Sequence, residues 1–374
     1  MSRRPSIGRA APRSRPRQSI HQATRDYERW LRRCTSVVEA DLRDKHALMR
    51  QDPFLFLRGT YYRWAELWPA CGLETVRAPR VLGIGDLHVG SFGTWRDAEG
   101  RLAWGVDDFD EAYALPYTND LVRLAASLKI ANAMGSLAIK LKAGCDAILE
   151  GYAETLRGGG QPIVLAEGRE RLEKLGIRDI KAPDDFWKKL NRLPTVRGRP
   201  PRSAVIALKA ALPDPDLPHR FVRRQAGTGS LGQERFVAIA ECNGGYIARE
   251  AKALVPSASA WLAGHVGKHQ SCYQRIMRSA ARSPDPFQRI AGTWLIRRLS
   301  PDSNPIDIDE LPKRRDEATL LHAMGMEAAN VHLGSPRRAT AILRDLRGRK
   351  PRWLRDAAKV MAETMHREWR DYRS

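Results

Sequence analysis

Apolar residues recur with helical spacing in several parts of the chain. The first part covers residues 24–49, and the second covers 119–141, with a further helix predicted over 142–157. Asp120 stands in the first turn of the second part, where the positive end of a helix dipole favours a carboxylate. From residue 258 to the end, the chain is predicted to be mostly helical.

Short apolar runs bounded by glycine or turn-forming residues predict strands. Two of them lie at 81–85 and 101–110, and the turn-forming DAEG between them indicates that 81–106 forms one strand–loop–strand unit. The segment 220–241 predicts two strands joined by a glycine-rich turn. Further strands are predicted at 244–254 and 293–300.

This mixture of segments predicts an α+β protein of two lobes, in which a helix-rich large lobe accompanies a small lobe built on an antiparallel sheet. A proline-rich and basic stretch near 193–203 is the predicted lobe boundary. The predicted segments are a disordered basic arm (1–20), a lobe segment with the acidic motifs (21–195), a β-rich lobe with the glycine-rich turn (204–300) and a C-terminal helical segment (301–374).

Composition favours a globular protein of the reducing cytoplasm. Hydrophobic residues make up 43% of the 374 residues, which is normal for a folded protein. No run of about 18 apolar residues occurs, so no membrane span is expected. The basic start lacks the apolar core of a secretory signal. The five cysteines include no Cys-x-x-Cys pair, which argues against a disulfide framework or a zinc ribbon.

The charge balance is strongly basic, with a formal net charge of +21 and a pI of about 10.2. Such a surplus favours polyanionic partners, which include nucleotides and other phosphorylated ligands as well as nucleic acid. The basic residues are spread over the chain, so a solvated surface also explains them. A nucleic-acid-binding protein is therefore kept as an alternative.

Two aspartates carry the candidate chemistry. Asp86 follows an apolar strand in GDLHVGSFG (85–93), and Asp108 follows a second one in VDDFDEA (106–112). Strand ends can present side chains into a cleft. Phosphoryl transfer uses one carboxylate to orient or deprotonate the attacking hydroxyl and another to hold magnesium against the phosphates. Two aspartates on neighbouring strands can supply both roles.

These motifs resemble, in order, the core of the aminoglycoside and choline phosphotransferase branch of the protein-kinase-like fold. That branch has a GDxHxxN loop, a strand ending in an IDF or DFD aspartate, and a DLA motif that opens a helix. The resemblance implies that Asp86 is the catalytic base and that His88 braces the catalytic loop. It further implies that Asp108 binds magnesium and that Asp120 supports the loop from the helix.

A closer resemblance covers most of the chain. DPFLFLRG, GDLHVGSFG, DDFDEA, GTGSLGQERF, IAREA and the late helical NVHLG region (330–334) are similar, in this order, to motifs of the bacterial family catalogued as domain of unknown function 2252. That family has no settled activity, so this resemblance supports the fold and leaves the reaction open.

The chain departs from the kinase-like pattern at the loop asparagine, whose place is taken by Ser91. Serine is a weaker oxygen ligand for a second metal ion than asparagine. Asp110 or Glu111 is expected to compensate as a metal ligand. Alternatively, the site uses one metal ion, or it binds a nucleotide without turnover.

The glycine-rich turn contains GxGxxG between two predicted strands, at Gly227, Gly229 and Gly232. Glycines let backbone N–H groups approach phosphates closely, so these glycines and Ser230 are candidate ATP contacts. A plain hairpin turn is the alternative. Kinases carry this loop before the catalytic aspartates, whereas here it follows them, which implies a circularly permuted kinase-like order. By the resemblance, Arg249 takes the place of the strand lysine that contacts the phosphates.

The sequence thus predicts an ATP- and magnesium-dependent phosphotransferase whose acceptor hydroxyl is unknown. A catalytically degenerate nucleotide-binding protein is an alternative, because of Ser91 and Arg249. A metallophosphoesterase is a less favoured one. GDLH resembles the opening of that class, but the chain lacks its GDxxDRG-like and GNH[DE] segments.

Overall fold

The computed structural model describes residues 18–165, 183–196, 198–265, 272–303 and 316–374. Most of the basic arm predicted at 1–20 therefore lies outside the described residues. The helices are α1 (Ile20–Cys34), α2 (Glu39–Gln51), α3 (Pro53–Gly59), α4 (Tyr61–Leu67), α5 (Leu73–Val76), α6 (Tyr117–Met134), α7 (Leu141–Gly158), α8 (Pro183–Asn191), α9 (Arg202–Lys209), α10 (Ala258–Leu262), α11 (Cys272–Ser279), α12 (Glu317–Leu333), α13 (Ala339–Gly348) and α14 (Trp353–Arg373). The strands are β1 (Arg80–Gly83), β2 (Phe92–Arg96), β3 (Leu102–Val106), β4 (Tyr113–Pro116), β5 (His219–Arg223), β6 (Arg235–Cys242), β7 (Gly245–Ala253), β8 (Arg289–Ala291) and β9 (Trp294–Leu299).

The described strands form one five-stranded antiparallel sheet and two short antiparallel pairs. The larger sheet has the order β5-β6-β7-β9-β8, and the pairs are β1-β4 and β2-β3. Helices make up most of the remaining structure. The predicted α+β class with an antiparallel sheet is therefore confirmed.

The predicted strand–loop–strand unit at 81–106 is wrong. An additional strand, β2, pairs with β3 as a hairpin, whereas β1 pairs with β4 further along the chain. The DAEG turn closes the hairpin, since the Asp97 side chain accepts hydrogen bonds from the backbone N–H groups of Glu99 and Arg101. A turn of this length joins the strands on either side of it, which are β2 and β3.

The helix predicted over 119–141 is shorter in the structure, and the helix predicted separately over 142–157 is α7. Helix α6 ends at Met134 because Gly135 adopts a left-handed conformation with φ of 81° and caps it. Helices α6, α7, α12 and α14 bury their apolar faces in one large core, together with the aromatic side chains of α3 and α4. The strand pair β1-β4 packs against this core, which therefore holds the end of β1 in place.

Each face of the five-stranded sheet has its own apolar cluster. One face packs against α9 through side chains that include Phe236 and Trp294. The other face has a smaller cluster, in which Leu190 of α8 covers Val237 and Leu299. The rest of this second face carries charged side chains and closes one side of a cavity. Among the described residues, no helix combines the length and apolar character that crossing a membrane requires.

Candidate functional site

A cavity of about 580 Å³ lies between the charged face of the five-stranded sheet and the loops of the helical part. We call it the central cavity. Its walls come from three parts: the aspartate loop (residues 84–91, between β1 and β2), the acidic segment (residues 107–111, after β3) and the glycine turn (residues 224–234, between β5 and β6). The sequence-predicted site residues that line the cavity are Asp86, His88, Ser91, Asp108, Asp110, Gly227, Gly229 and Ser230.

The aspartate loop is held from behind by helix α6. The carboxylate of Asp120 accepts hydrogen bonds from the backbone N–H groups of Ile84 (2.6 Å) and Gly85 (3.0 Å). Nε2 of His332, on α12, lies 2.9 Å from the same carboxylate. Gly85 has φ of 85°, and a Cβ there would overlap the backbone of Glu111. Asp120 therefore makes the expected bracing contact, and it fixes the direction in which the loop leaves β1.

Asp86 is paired with a buried arginine. Nε of Arg123 donates to Oδ1 of Asp86 at 2.8 Å, and Nη2 of Arg123 contacts the same oxygen. The Arg123 guanidinium lies between the rings of Tyr61 and Trp64, with its Cζ 5.1 Å and 4.9 Å from their centroids. Burial raises the pKa of Asp86 above its ordinary value, and the charge of Arg123 opposes that rise. Arg123 thus orients the Asp86 carboxylate but only partly offsets the rise in its pKa that burial causes.

His88 and Ser91 shape the aspartate loop from within. The Ser91 hydroxyl accepts from the His88 backbone N–H at 2.9 Å and donates to the Asp86 carbonyl at 3.0 Å. Nδ1 of His88 accepts from the Gly90 backbone N–H at 3.1 Å, which leaves the proton on Nε2. Burial lowers the pKa of His88 well below its ordinary value, so the ring is neutral. Both side chains therefore support the position of Asp86.

The acidic segment encloses a buried lysine. Nζ of Lys252, on β7, lies 2.5 Å from Oδ2 of Asp108 and also contacts Asp110. Burial acts to raise the pKa of Asp108, but the Lys252 ammonium lowers it to about 2. Burial and the Asp108 charge raise the pKa of Asp110 to about 7. The pair therefore gives up its two protons at widely separated pH values.

The same two aspartates fit a magnesium ion. Among the described residues, Oδ1 of Asp110 is buried without a hydrogen-bond partner, and Asp108 keeps 40% of its side chain exposed. Magnesium is usually bound by one or two carboxylates together with phosphate oxygens and water. Within the described part of the chain, no three His, Cys, Asp or Glu side chains are arranged to hold a metal ion by themselves. Magnesium would thus depend on oxygens of a ligand.

The glycine turn lies directly over Asp86. A Cβ on Gly229 would stand 3.1 Å from the carbonyl oxygen of Arg58 and 3.7 Å from Oδ2 of Asp86. Nζ of Lys45, on α2, donates to the Gly229 carbonyl at 2.8 Å and anchors the turn to the helical part. Gly232 is the one predicted glycine that does not line the cavity, since it packs against Leu42 of α2.

Arg249, the predicted phosphate contact on β7, does not line the cavity. Its Nε donates to the Ala211 carbonyl at 2.9 Å, and its guanidinium stacks on Phe287. Lys252 stands on the opposite face of β7 and reaches the acidic segment. Strand residues alternate between faces, so positions three apart point to opposite sides. Within the strand predicted at 244–254, this alternation already separates Lys252 from Arg249.

A second charged group, which no sequence motif marks as a site, lies beside Lys252. Glu250 is fully buried and accepts hydrogen bonds from Arg224 (2.8 Å), Arg235 (3.0 Å) and Arg297 (2.6 Å). Burial opposes ionisation of Glu250, but the three guanidinium groups hold its pKa well below the ordinary value. Arg224 lies at the start of the glycine turn, Arg235 on β6 and Arg297 on β9, so sequence spacing gives no signal that they meet.

Arg58 adds a further cation to the cavity wall. It stands on α3, is half-buried, and makes no side-chain hydrogen bond or ion pair within the part of the chain that the structure describes. Its charge acts to lower the pKa of both Asp86 and His88. A half-buried guanidinium without a partner is well suited to bind a phosphate.

The fold and cavity define a mixed α+β protein with an antiparallel sheet that faces an acidic segment and an aspartate loop. A family described as an uncharacterized protein conserved in bacteria (DUF2252) has a model that matches residues 12–194. This match covers the aspartate loop and the acidic segment, so this part of the chain is similar to that family. No curated protein and no solved structure matches the chain.

Proposed function

We propose that the protein is a magnesium- and nucleotide-dependent phosphotransferase of kinase-like architecture, whose acceptor is a hydroxyl group. The observation that carries the proposal is the convergence in one cavity of Asp86, the acidic segment, the glycine turn and Lys252. These parts lie far apart in the sequence, and phosphoryl transfer needs all of them together: a base, a metal ligand, a phosphate-covering loop and a cation.

The arrangement of the five-stranded sheet supports the kinase-like proposal. In protein kinases a glycine-rich loop covers the phosphates, and the phosphate-binding lysine stands on the third strand. Here the glycine turn joins the first two strands of the sheet, and Lys252 stands on the third, β7. The sheet follows the aspartate loop in the chain, so the proposed kinase-like order is circularly permuted.

Each residue then has a defined role. Asp86, oriented by Arg123, accepts the proton of the acceptor hydroxyl, whose oxygen attacks the terminal phosphorus while the nucleoside diphosphate leaves. Asp108 and Asp110 would hold magnesium, which neutralises developing charge on the phosphates when bound. Lys252 would turn from the aspartates to a phosphate oxygen. Arg58 and the backbone of Gly229 would contact the phosphate chain from the two sides of Asp86.

A nucleotide-binding protein without turnover is the second candidate. It is favoured by the close ion pair between Asp86 and Arg123, which occupies Oδ1 of the carboxylate and opposes the rise in pKa that burial causes. Ser91 also uses its hydroxyl within the aspartate loop and has less capacity left for a metal ion.

The first test compares wild-type protein with Asp86→Asn and Asp108→Asn. We expect magnesium-ATP to raise the melting temperature of the wild type and of Asp86→Asn, because Asp86 acts on the acceptor hydroxyl. We expect Asp108→Asn to bind magnesium-ATP at least about tenfold more weakly, since it loses a metal ligand. ATP turnover, measured as ADP release, should fall at least about a hundredfold in Asp86→Asn.

Asp214→Asn is the matched control, because Asp214 is exposed and remote from the cavity. Absence of any magnesium-ATP shift in the wild type would contradict the nucleotide site. A shift without turnover in the wild type would favour the second candidate. Binding of nucleic acid with a steep dependence on salt, unchanged in Asp108→Asn, would support the charge-based alternative instead.

A further inference from the structure

The face of the sheet beyond Lys252 carries charged side chains where it meets the central cavity. Glu250 and Lys252 are two residues apart on β7, so their side chains share one face and stand roughly 7 Å apart along the strand. Glu250 is surrounded by Arg224, Arg235 and Arg297, and all three arginines line the cavity.

The positive charge of the three guanidinium groups exceeds the negative charge of Glu250. One carboxylate against three arginines leaves a surplus of two positive charges. Asp107 and Asp108 are the next acidic groups that act on Arg297. Asp108 is paired with Lys252, so with the charge of Asp107 included the cluster remains positive. A surplus of this kind in a partly buried wall is stabilised by an anion that enters the cavity.

Two of the three arginines also have N–H groups that Glu250 does not use. Arg235 is nearly fully buried and bonds both Glu250 and Ser230, so its donors are directed into the protein. Arg224 and Arg297 keep 25% and 19% of their side chains exposed. Among the described residues, the side chain of each makes one hydrogen bond, to Glu250. Glu250 thus fixes the two guanidinium groups, and their remaining N–H groups are left for a ligand.

We infer that Arg224 and Arg297 form an oxyanion subsite beside Glu250 that takes a phosphate group of the ligand. Two sources share this chemistry: the phosphate chain of the nucleotide itself, or a phosphate carried by the acceptor. The assignment of these sources rests on the proposed function, whereas the subsite itself does not.

The test measures binding of inorganic tripolyphosphate and orthophosphate to the full chain by calorimetry, at about 150 mM salt to suppress non-specific attraction. We expect Arg224→Gln and Arg297→Gln to weaken tripolyphosphate binding by about tenfold or more, since each removes a charge-assisted hydrogen bond. Arg223→Gln is the matched control, because Arg223 is the neighbouring residue, pairs with Asp41 and does not line the cavity.

Folding of the variants is checked by their melting temperatures. Arg224→Gln is the safer variant, because its side chain is partly exposed and Glu250 keeps two arginine partners. Equal affinity of the wild type, Arg224→Gln and Arg297→Gln for both anions would overturn the subsite. A wild type that binds neither anion would overturn it as well.

Repeating the orthophosphate titration in the presence of saturating magnesium-ATP shows whether the phosphate in the subsite belongs to the nucleotide or to the acceptor. Competition assigns the subsite to the phosphate chain of the nucleotide, and undiminished binding assigns it to a phosphorylated acceptor. Orthophosphate binding that depends on Arg224, in a protein that does not bind magnesium-ATP, would leave the subsite standing and remove the proposed function. The reverse pattern would remove the subsite alone: a protein that binds magnesium-ATP, but whose binding of orthophosphate and tripolyphosphate is the same in Arg224→Gln and Arg297→Gln as in the wild type.

Discussion

At the scale of single residues, the central cavity depends on charges that are buried in compensating pairs. Arg123 opposes the effect of burial on Asp86, and Lys252 does the same for Asp108. Asp110 and Glu111 are less well compensated, and burial raises their pKa values to about 7 and about 8. The acidic segment therefore holds protons near neutral pH, which a divalent cation or a phosphate ligand would redistribute.

Glu111→Gln tests this excess of buried acid. The ordinary pKa of Glu111 is 4.5, and burial raises it to about 8 in the folded protein. Between these pH values the folded state keeps a proton that the unfolded state releases, so this group lowers stability as pH rises. The loss is at most about 1.4 kcal/mol per pH unit. Glutamine does not titrate, so the stability of Glu111→Gln relative to wild type should increase from pH 5 to pH 8.

Urea unfolding at several pH values measures this difference. Glu99→Gln is the control, because Glu99 is exposed in the DAEG turn and its substitution should leave the pH profile parallel to that of the wild type. A stability difference for Glu111→Gln that stays constant between pH 5 and pH 8 would show that Glu111 ionises at its ordinary value.

Lys252→Gln and Arg249→Gln test which cation of β7 serves the cavity. Lys252 bridges Asp108 and Asp110, whereas Arg249 bonds a backbone carbonyl on the other face of the sheet. We expect Lys252→Gln to weaken magnesium-ATP binding by about tenfold or more and Arg249→Gln to change it less than about twofold. Calorimetric titration measures both. Equal losses in the two variants would contradict the assignment of Lys252.

At the scale of elements, the glycine turn is a hairpin connection that is docked against the helical part. Lys45 anchors the Gly229 carbonyl, and the Gly232 carbonyl accepts a hydrogen bond from the Val38 backbone N–H at 2.8 Å. Gly232 has φ of 96°, so it also supplies a conformation that other residues rarely adopt. The turn is thereby held over Asp86, and its glycines leave room for a ligand.

Gly229→Ala tests whether this space is used. Gly229 does not have a positive φ, so the backbone tolerates alanine, but the added methyl group would stand 3.1 Å from the Arg58 carbonyl. We expect a loss of stability of no more than about 1–2 kcal/mol and a loss of magnesium-ATP binding of about tenfold or more. Gly245→Ala is the control, since a Cβ there meets nothing within 4 Å. Unchanged binding by Gly229→Ala would separate the glycine turn from the nucleotide.

At the scale of the whole molecule, the site is assembled on the crossing of helices α7 and α12. A Cβ on Gly325 would overlap the carbonyl oxygen of Ile148, and a Cβ on Gly151 would overlap that of His322, so the two helices approach to backbone contact. Helix α12 then carries His332 to Asp120 behind the aspartate loop. It also carries Glu327 to the backbone at the end of β3. The helical core thus sets the position of both acidic motifs.

Gly325→Ala tests this dependence. The added methyl group should force α7 and α12 apart and lower the free energy of unfolding by about 2–3 kcal/mol. Magnesium-ATP binding should weaken as well, because α12 supports both acidic motifs. Gly158→Ala, at the open end of α7, should be neutral or slightly stabilising. Urea unfolding compares the two variants, and an unchanged stability of Gly325→Ala would contradict a tight crossing.

Much of the local structure was predictable from the sequence. The helices α1, α2, α6 and α7, the strands β5, β6, β7 and β9, the glycine turn and the place of Asp86 after a strand all follow from apolar periodicity and turn residues. The α+β class follows from the same patterns. These features depend on interactions between residues close in the chain, which is why the sequence alone determined them.

Only the tertiary structure decided which elements meet. The sequence paired β1 with the wrong strand, because a turn signal identifies a hairpin only when both of its strands are recognised, and β2 was not. The resemblance assigned the phosphate contact to Arg249, whereas Lys252 is the cation that reaches the acidic segment, and no pattern in the sequence indicated the arginines around Glu250. Such contacts join residues far apart in the chain. Packing between whole elements determines these contacts, and the local periodicity of the sequence does not indicate how elements pack.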